Sequence, residues 1–258
     1  LCHSVQGTAE MLANWIGADP KEISYTCAGI NHQAFYLNYE WKGKDAYPLI
    51  QNAIQREEVA NEEMVRIEMY RHLGYFPTES SGHNSEYNPW FRKRKDLIET
   101  YCTHGTAWEQ EYCDWVNQGD IDLKRGEEYA SNIFNAIFGD HTPYFFNGNL
   151  RNKGYIRNVM ENACVEVPVV ATSKGIHSIQ QITLPDHLAL MVDHSARIEE
   201  LAVQGALNGD PQLIFEAILF DPLTASVLSM QEIHDMVQEM LHKNKDYLTY
   251  FKTLDLKD

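Results

Sequence analysis

Two runs of strand-forming residues stand back to back near the start of this chain, Glu22 to Ile30 and Gln33 to Trp41, parted only by Asn31-His32. Both are rich in Ile, Tyr, Phe and Trp, side chains that pack well on a pleated surface. Lys42-Gly43-Lys44-Asp45 supplies a turn after the second. A sheet is therefore expected early in the chain. His32 falls at the junction of the two runs, and strand ends and loops are where a rigid scaffold usually carries chemistry.

The rest reads mainly as helix. Ser4 is a candidate N-cap, after which Val5, Ala9, Leu12, Trp15 and Ile16 recur at helical spacing until Gly17 and Asp19-Pro20. Cys2 precedes that helix start, where the helix dipole favours a thiolate. A long helix is predicted over about Gln55 to Leu73, stopped by Gly74. Tyr75 to Asn88 has no period and reads as a loop. Helices are predicted over Pro89–Cys102, Ala107–Val116 and Gly126–Phe138. The turn-rich stretch Asn147 to Gly154 leads into short strands, Tyr155–Asn158 and Cys164–Ala171. Leu188, Met191, Ser195, Ile198 and Leu201 mark one amphipathic helix and Gln231 to Phe251 another, with Asp221-Pro222-Leu223-Thr224 as a break. Without repeats, low-complexity tracts or a Pro/Ser linker, the pattern is one α+β domain over residues 1–258, a small mixed or antiparallel sheet covered by several helices.

Composition narrows the partners. A hydrophobic content of 44% and a charged content of 22% are those of a globular protein. The formal charge of -16 repels nucleic acid and anionic membrane surfaces, so neither is an expected partner. No run approaches the roughly 18 apolar residues of a membrane helix. Five cysteines, an odd number, favour reduced thiols in a cytoplasm. Of these, Cys27, Cys102 and Cys113 read as small buried hydrophobes. Neither G-x-G-x-x-G after a strand nor G-x-x-x-x-G-K-[ST] occurs, so the common phosphate-cradling loops are missing from these residues.

Three groups of residues carry chemistry. Cys2 and His32 offer a thiolate and an imidazole, a pair suited to Mn, Fe, Co, Ni or Zn and not to Mg or Ca. Their spacing is not that of a zinc finger, and most histidines are surface residues. Glu79 to Tyr87 holds His83, Tyr87 and two carboxylates, either a source of a general acid or base or a solvated loop capping the next helix. Asn149 to Asn158 can present amides to sugar hydroxyls or be an ordinary hairpin rim.

Taken in order, Leu1-Cys2-His3-Ser4-Val5-Gln6-Gly7, Cys27-Ala28-Gly29-Ile30-Asn31-His32, Thr78 to Tyr87, Asn149, Asn152-Lys153-Gly154 and Val165-Glu166-Val167-Pro168 resemble the C-terminal part of the family 4 glycoside hydrolases. These are NAD- and Mn-dependent glycosidases, and the likeness is closest to the α-galactosidase (melibiase) branch. Family members acting on 6-phosphorylated sugars typically open this segment with Cys-Asn-Pro, so Cys-His-Ser looks like the form for a non-phosphorylated sugar. Val159-Met160 departs from the Leu-Pro of many members.

The resemblance implies a fold like the C-terminal domain of lactate and malate dehydrogenases, and a division of labour. Cys2 and His32 match the metal ligands, and Asn31 matches an amide that contacts the sugar near the metal. Asn149 is carried over as a further sugar contact, and Tyr87 or His83 falls in the segment supplying the catalytic base. The residues that hold NAD stay unknown, because a Rossmann half with its glycine loop is expected ahead of Leu1. The implied reaction stands outside the two-carboxylate scheme of most glycosidases. The sugar is oxidised at C3 by NAD, and its C2 proton is removed by the base while Mn stabilises the enediolate. The aglycone then leaves by elimination, water adds, and C3 is reduced again. Small α-galactosides are the expected substrates, and a cytoplasmic homodimer or homotetramer the expected form. An α-glucosidase or α-galacturonidase is the alternative within the family. Outside it stand a non-catalytic dehydrogenase-like domain that dimerises or binds substrate, and a hydrolytic metalloenzyme with no redox step.

Overall fold

The computed structural model describes residues 3–102, 113, 115–117 and 128–257. Its strands are β1 (Ile23–Ile30), β2 (Gln33–Trp41), β3 (Lys44–Asp45), β4 (Tyr144–Arg151), β5 (Cys164–Thr172) and β6 (Gly175–Ser178). They form one sheet of order β3-β2-β1-β5-β4, with β6 folded back on β5, and every pairing among these strands is antiparallel. The helices are α1 (Ser4–Ile16), α2 (Tyr47–Ala53), α3 (Glu57–Glu62), α4 (Met64–Leu73), α5 (Ser81–Tyr87), α6 (Lys95–Tyr101), α7 (Ala130–Phe138), α8 (Asp186–Asn208), α9 (Pro211–Leu219), α10 (Pro222–Val227) and α11 (Met230–Lys243). The sheet is thus the expected α+β arrangement in its antiparallel form.

Strand alternation sorts the core into two layers. Val165, Val167, Val169 and Ala171 of β5 join Ala28, Ile30 and Phe35 on one face, covered by Ile133 and Ala136 of α7 and by Leu188, Val192 and Ala196 of α8. Cys27, Ala34, Tyr36 and Tyr39 pack on the other side with Val5, Ala9 and Leu12 of α1 and Ile50 of α2. A slip of one residue would exchange the two sets, and burying one such side chain contributes roughly 1.5–3 kcal/mol, so register is firmly set. One irregularity matters. Thr26 pairs with Asn38 but Cys27 with Tyr36, leaving Leu37 as an extra residue in β2. The bulge lets Tyr36 and Tyr39, three apart, both reach α1. Their hydroxyls donate to the carbonyls of Val5 and Ala9, one helical turn apart. Glu166 alternates with the valines of β5 and is fully buried between Gly29 and Asn149, with neither carboxyl oxygen hydrogen-bonded among the described residues. Burial pushes its pKa up to about 8.

Several expectations are corrected. The predicted helix over Gln55–Leu73 is two helices, because Glu63 leaves helical geometry (φ -126°, ψ 46°) and gives its carboxylate to buried Arg66 and to Ser81 Oγ at 2.7 Å. Helix α2 is an addition. Tyr75–Asn88 is not all loop, since α5 is held by polar bonds that leave no apolar period: Ser80 caps His83 N, and buried Asn84 donates to Glu79 O at 2.7 Å. Asn147-Gly148-Asn149 is not a turn but part of β4, where the Asn147 amide donates to Cys27 O at 3.0 Å. Tyr155–Asn158 forms only a bridge between Ile156 and Ile182, since the Asn152 amide ties up Ile156 O and Val159 O. Within Pro89–Cys102 only Lys95–Tyr101 is helical, and the helix expected to Phe251 ends at Lys243, where its amphipathic register gives way to turns. His3, not Ser4, is the N-cap of α1, and Asp221 starts α10 by accepting from Thr224 N. Ala107–Val116 lies largely outside the described residues, and the helix expected from Gly126 is seen from Ala130. Cys27 is buried as expected, but Cys102 is half-buried and Cys113 exposed. Among the described residues no helix is long and apolar enough to cross a membrane.

Candidate active site

The pairing of Ile30 with Gln33 makes Asn31-His32 the two-residue tip of the β1–β2 hairpin. At His32 φ is +66°, a place in a turn usually held by Gly or Asn. Such strain costs on the order of 1–3 kcal/mol and persists only where the surroundings over-determine it. Here they do. Ile30 and Gln33 are anchored in the core on either side of the tip. Gly29 also permits an approach no other residue allows, since a Cβ there would lie 2.2 Å from Gln33 O and 2.5 Å from Ala34 Cα.

Helix α5 brings the second half of the site to this tip. The Tyr87 hydroxyl is 3.1 Å from His32 Nδ1, and Glu79 Oε2 is 3.4 Å from His32 Nε2. Glu79 is itself held by Ser80 N, 2.8 Å from its other oxygen. His83 stacks on His32 with ring centroids 5.0 Å apart, while its Nδ1 is engaged by Glu86 at 2.9 Å. The placement of α5 runs back to α1 through a buried polar chain: Ser81 to Glu63, Glu63 to Arg66, and Arg66 to Thr8 Oγ1 at 2.7 Å.

Ile30, Asn31, His32, Gln33, Tyr87, Ser195 and Glu199 line a cleft of about 90 Å³ between the hairpin tip, α5 and α8. A larger pocket, about 450 Å³, is lined mainly by apolar side chains such as Met69, Trp90 and Phe91, and its Glu68 and His72 are paired with each other. In the cleft, burial first and then Glu86, Glu79 and Glu199 push the Tyr87 phenol above its ordinary value. Glu199 stands at the mouth, exposed on one side yet crowded enough that loss of water raises its carboxyl. Tyr87 therefore becomes a base only where positive charge enters the cleft.

That requirement bears on a metal. Among the described residues no group of three or more His, Cys, Asp or Glu is poised to hold an ion. His32 and Glu79 nonetheless face each other as an imidazole and a carboxylate, a donor pair that fits one corner of a transition-metal site. Cys2 lies outside the described residues. Of the residues expected from the sequence, Asn31, His32 and Tyr87 meet at the cleft, and His83 stands beside it. Asn149 does not line it. It sits on β4, two strands from Gly29, and the neighbouring Asn152 and Asn158 amides are spent on backbone groups. Glu79 is one of the two carboxylates grouped with His83 and Tyr87 in the sequence, whereas Gln33, Ser195 and Glu199 are additions made by the fold. The one available signal was Ser195, a polar residue inside an otherwise apolar helical stripe.

Residues 27–224 match the model of the family 4 glycosyl hydrolase C-terminal domain, about three-quarters of the chain. The chain belongs to the family 4 glycosyl hydrolases. An alpha-galactosidase of Bacillus subtilis (strain 168) is 32% identical, the match covering 98% of this chain and 61% of that protein. An alpha-galactosidase of Rhizobium meliloti (strain 1021) is 33% identical over 97% of this chain and 56% of its own length. The chain thus spans about 60% of the curated relatives it matches. In fold it is similar to a putative glucosidase from Bacillus subtilis, with TM-score 0.79 and 21% identity over 93% of this chain and 62% of that one. It is also similar to a 6-phospho-beta glucosidase from Thermotoga maritima solved with manganese, NAD+ and glucose-6-phosphate, with TM-score 0.71 and 20% identity over 96% of this chain and 59% of that one.

Proposed function

We propose that this family 4 chain is the sugar-, base- and metal-binding part of an NAD- and manganese-dependent α-galactosidase acting on non-phosphorylated α-galactosides. The observation that carries the reading is the contact of the Tyr87 hydroxyl with His32 at a cleft edged by Asn31. The two α-galactosidase relatives near 33% identity support the substrate class. In this reading Tyr87 O accepts the C2 proton of the sugar, in preference to His83, whose ring is engaged by Glu86. Asn31, at the exposed tip, orients a ring hydroxyl. His32, with Glu79 and Cys2, would hold the manganese, whose charge lowers the Tyr87 phenol and acidifies the sugar carbon beside the ketone. His32 would link the two roles, its Nδ1 at the Tyr87 hydroxyl and its Nε2 at Glu79. NAD binds against residues supplied outside these 258. Asn149 is retained as a contact to the distal part of the substrate. A cytoplasmic homodimer or homotetramer completes the proposal, the acidic surface leaving neither nucleic acid nor membrane as partner.

A panel of p-nitrophenyl α- and β-glycosides, with and without a 6-phosphate, tests it on the full-length protein. The expected result is cleavage of the unphosphorylated α-galactoside only when NAD and manganese are both present. A preference for a glucoside, a uronide or a 6-phosphate would move the chain to another branch, and turnover independent of NAD would refute the redox step.

A further inference from the structure

Of the three polar cleft residues left without a task by the chemistry above, Gln33, Ser195 and Glu199, the first and last share one property. Gln33 is 5% exposed, lines the cleft, and its Oε1 has no hydrogen-bond partner. A buried acceptor left unpaired costs on the order of 1–3 kcal/mol, a cost removed when a donor arrives. Glu199, opposite on α8, is likewise an acceptor when ionised, and none of its carboxyl oxygens is spoken for by a described donor at hydrogen-bond distance. Among the described residues no Lys or Arg lines the cleft, and Glu79 and Glu86 stand just behind it. Gln33 Oε1, closed off at the cleft wall, and Glu199 at its mouth border a space of about 90 Å³, enough for roughly three water-sized groups, and a ligand edge that donates would satisfy both. The carboxylates of Glu199, Glu79 and Glu86 together repel an anion that enters the cleft.

We propose that Gln33 and Glu199 form a hydroxyl-reading subsite that selects a neutral sugar edge and rejects 6-phosphate and uronate groups. The proposal rests on the glycosidase reading for its substrate class, but its geometry concerns binding alone. Gln33 sits next to His32 on the hairpin tip, so a hydroxyl held there is also held beside the Tyr87–His32 pair. Glu199 comes from α8, an element separate from the hairpin, and so holds the sugar from another wall of the cleft. Sites built to hydrogen-bond a hydroxyl discriminate strongly against the analogue that lacks it, because the buried acceptor is then left unpaired.

The test is calorimetric binding to the full-length protein, loaded with NAD and manganese, of D-galactose, its monodeoxy analogues, galactose 6-phosphate and galacturonate. The wild type is expected to bind galactose at least about tenfold more tightly than one monodeoxy analogue and than either anion. Glu199→Gln and Gln33→Leu should each weaken galactose about tenfold, and the double variant should lose the deoxy penalty, as a double-mutant cycle requires of a direct contact. Glu199→Gln should also narrow the gap between galactose and the two anions. Galactose affinity within twofold of wild type in both variants, a deoxy penalty that survives in the double variant, or an anion bound more tightly than galactose would each overturn the subsite. Glu199→Gln is nearly isosteric, so it decides the matter alone should Gln33→Leu lower the melting temperature. Binding with these properties but no cleavage of any α-galactoside would sink the proposed activity and leave the subsite standing. Cleavage indifferent to both variants would do the reverse.

Discussion

Glu166→Gln should stabilise the protein, and by an amount that grows with pH. Glu166 is fully buried with neither oxygen paired among the described residues, and its pKa stands near 8 against an ordinary value of 4.5. Between those values the folded state keeps the proton while the unfolded chain releases it. The unfolded state then binds fewer protons, so stability falls as pH rises, by about 1.4 kcal/mol per pH unit. From pH 4.5 to pH 7 that amounts to about 3 kcal/mol lost by the wild type through this one group. Glutamine has nearly the same shape and no proton to release. Its amide brings its own unpaired donors, but that offset does not change with pH. The quantity to measure is therefore the gap between variant and wild type in urea midpoints at pH 5, 6 and 7, converted with a common m-value. A gap widening by roughly 1 kcal/mol or more per unit supports the buried neutral acid. A gap constant across that range would refute it, and would mean Glu166 is paired or ionised in solution.

Other perturbations probe the site and its supports. Tyr87→Phe should cut kcat by about 10²–10⁴ with little change in KM and abolish exchange of the sugar C2 proton, with His83→Ala far milder; the opposite order would reassign the base. His32→Asn should remove metal-dependent turnover while raising stability by about 1 kcal/mol, because Asn accepts the positive φ that His32 bears under strain. A denaturation midpoint that falls instead would show the turn is not strained. Gly29→Ala should cost about 1–3 kcal/mol and displace the hairpin tip, seen as lost activity together with a lower melting temperature. Arg66→Met leaves the half-buried Glu63 carboxylate with Ser81 Oγ alone and should cost about 3–5 kcal/mol, most of it recovered in a paired Glu63→Leu, Arg66→Met variant.

The strands beside the site were legible because Ile, Tyr, Phe and Trp alternate in them and because Asn31-His32 interrupts the pattern. The ordered motifs then carried the family. Less legible was anything held by polar bonds. Helix α5 has no apolar stripe to betray it, since Asn84, Ser85 and Asn88 are buried through hydrogen bonds to its own backbone and to nearby groups. Asn147-Gly148-Asn149 looked like a turn because those residues favour turns locally, yet long-range pairing with Val167 and Glu166 overrides that preference. Gln33 and Glu199 are 166 positions apart and share no spacing rule, so only the fold reveals that both face one cleft.

The extra residue in β2 has a mechanical consequence. Because Leu37 is unpaired, Tyr36 and Tyr39 grip α1 at carbonyls one turn apart, which sets both the rotation of that helix and its position along its axis. The grip works like a keyed shaft, so the first turn of α1 takes its angular phase from a bulge more than thirty positions downstream. Deleting Leu37 would remove no catalytic group and little apolar area. It would unkey the helix, freeing α1 to rotate against the sheet.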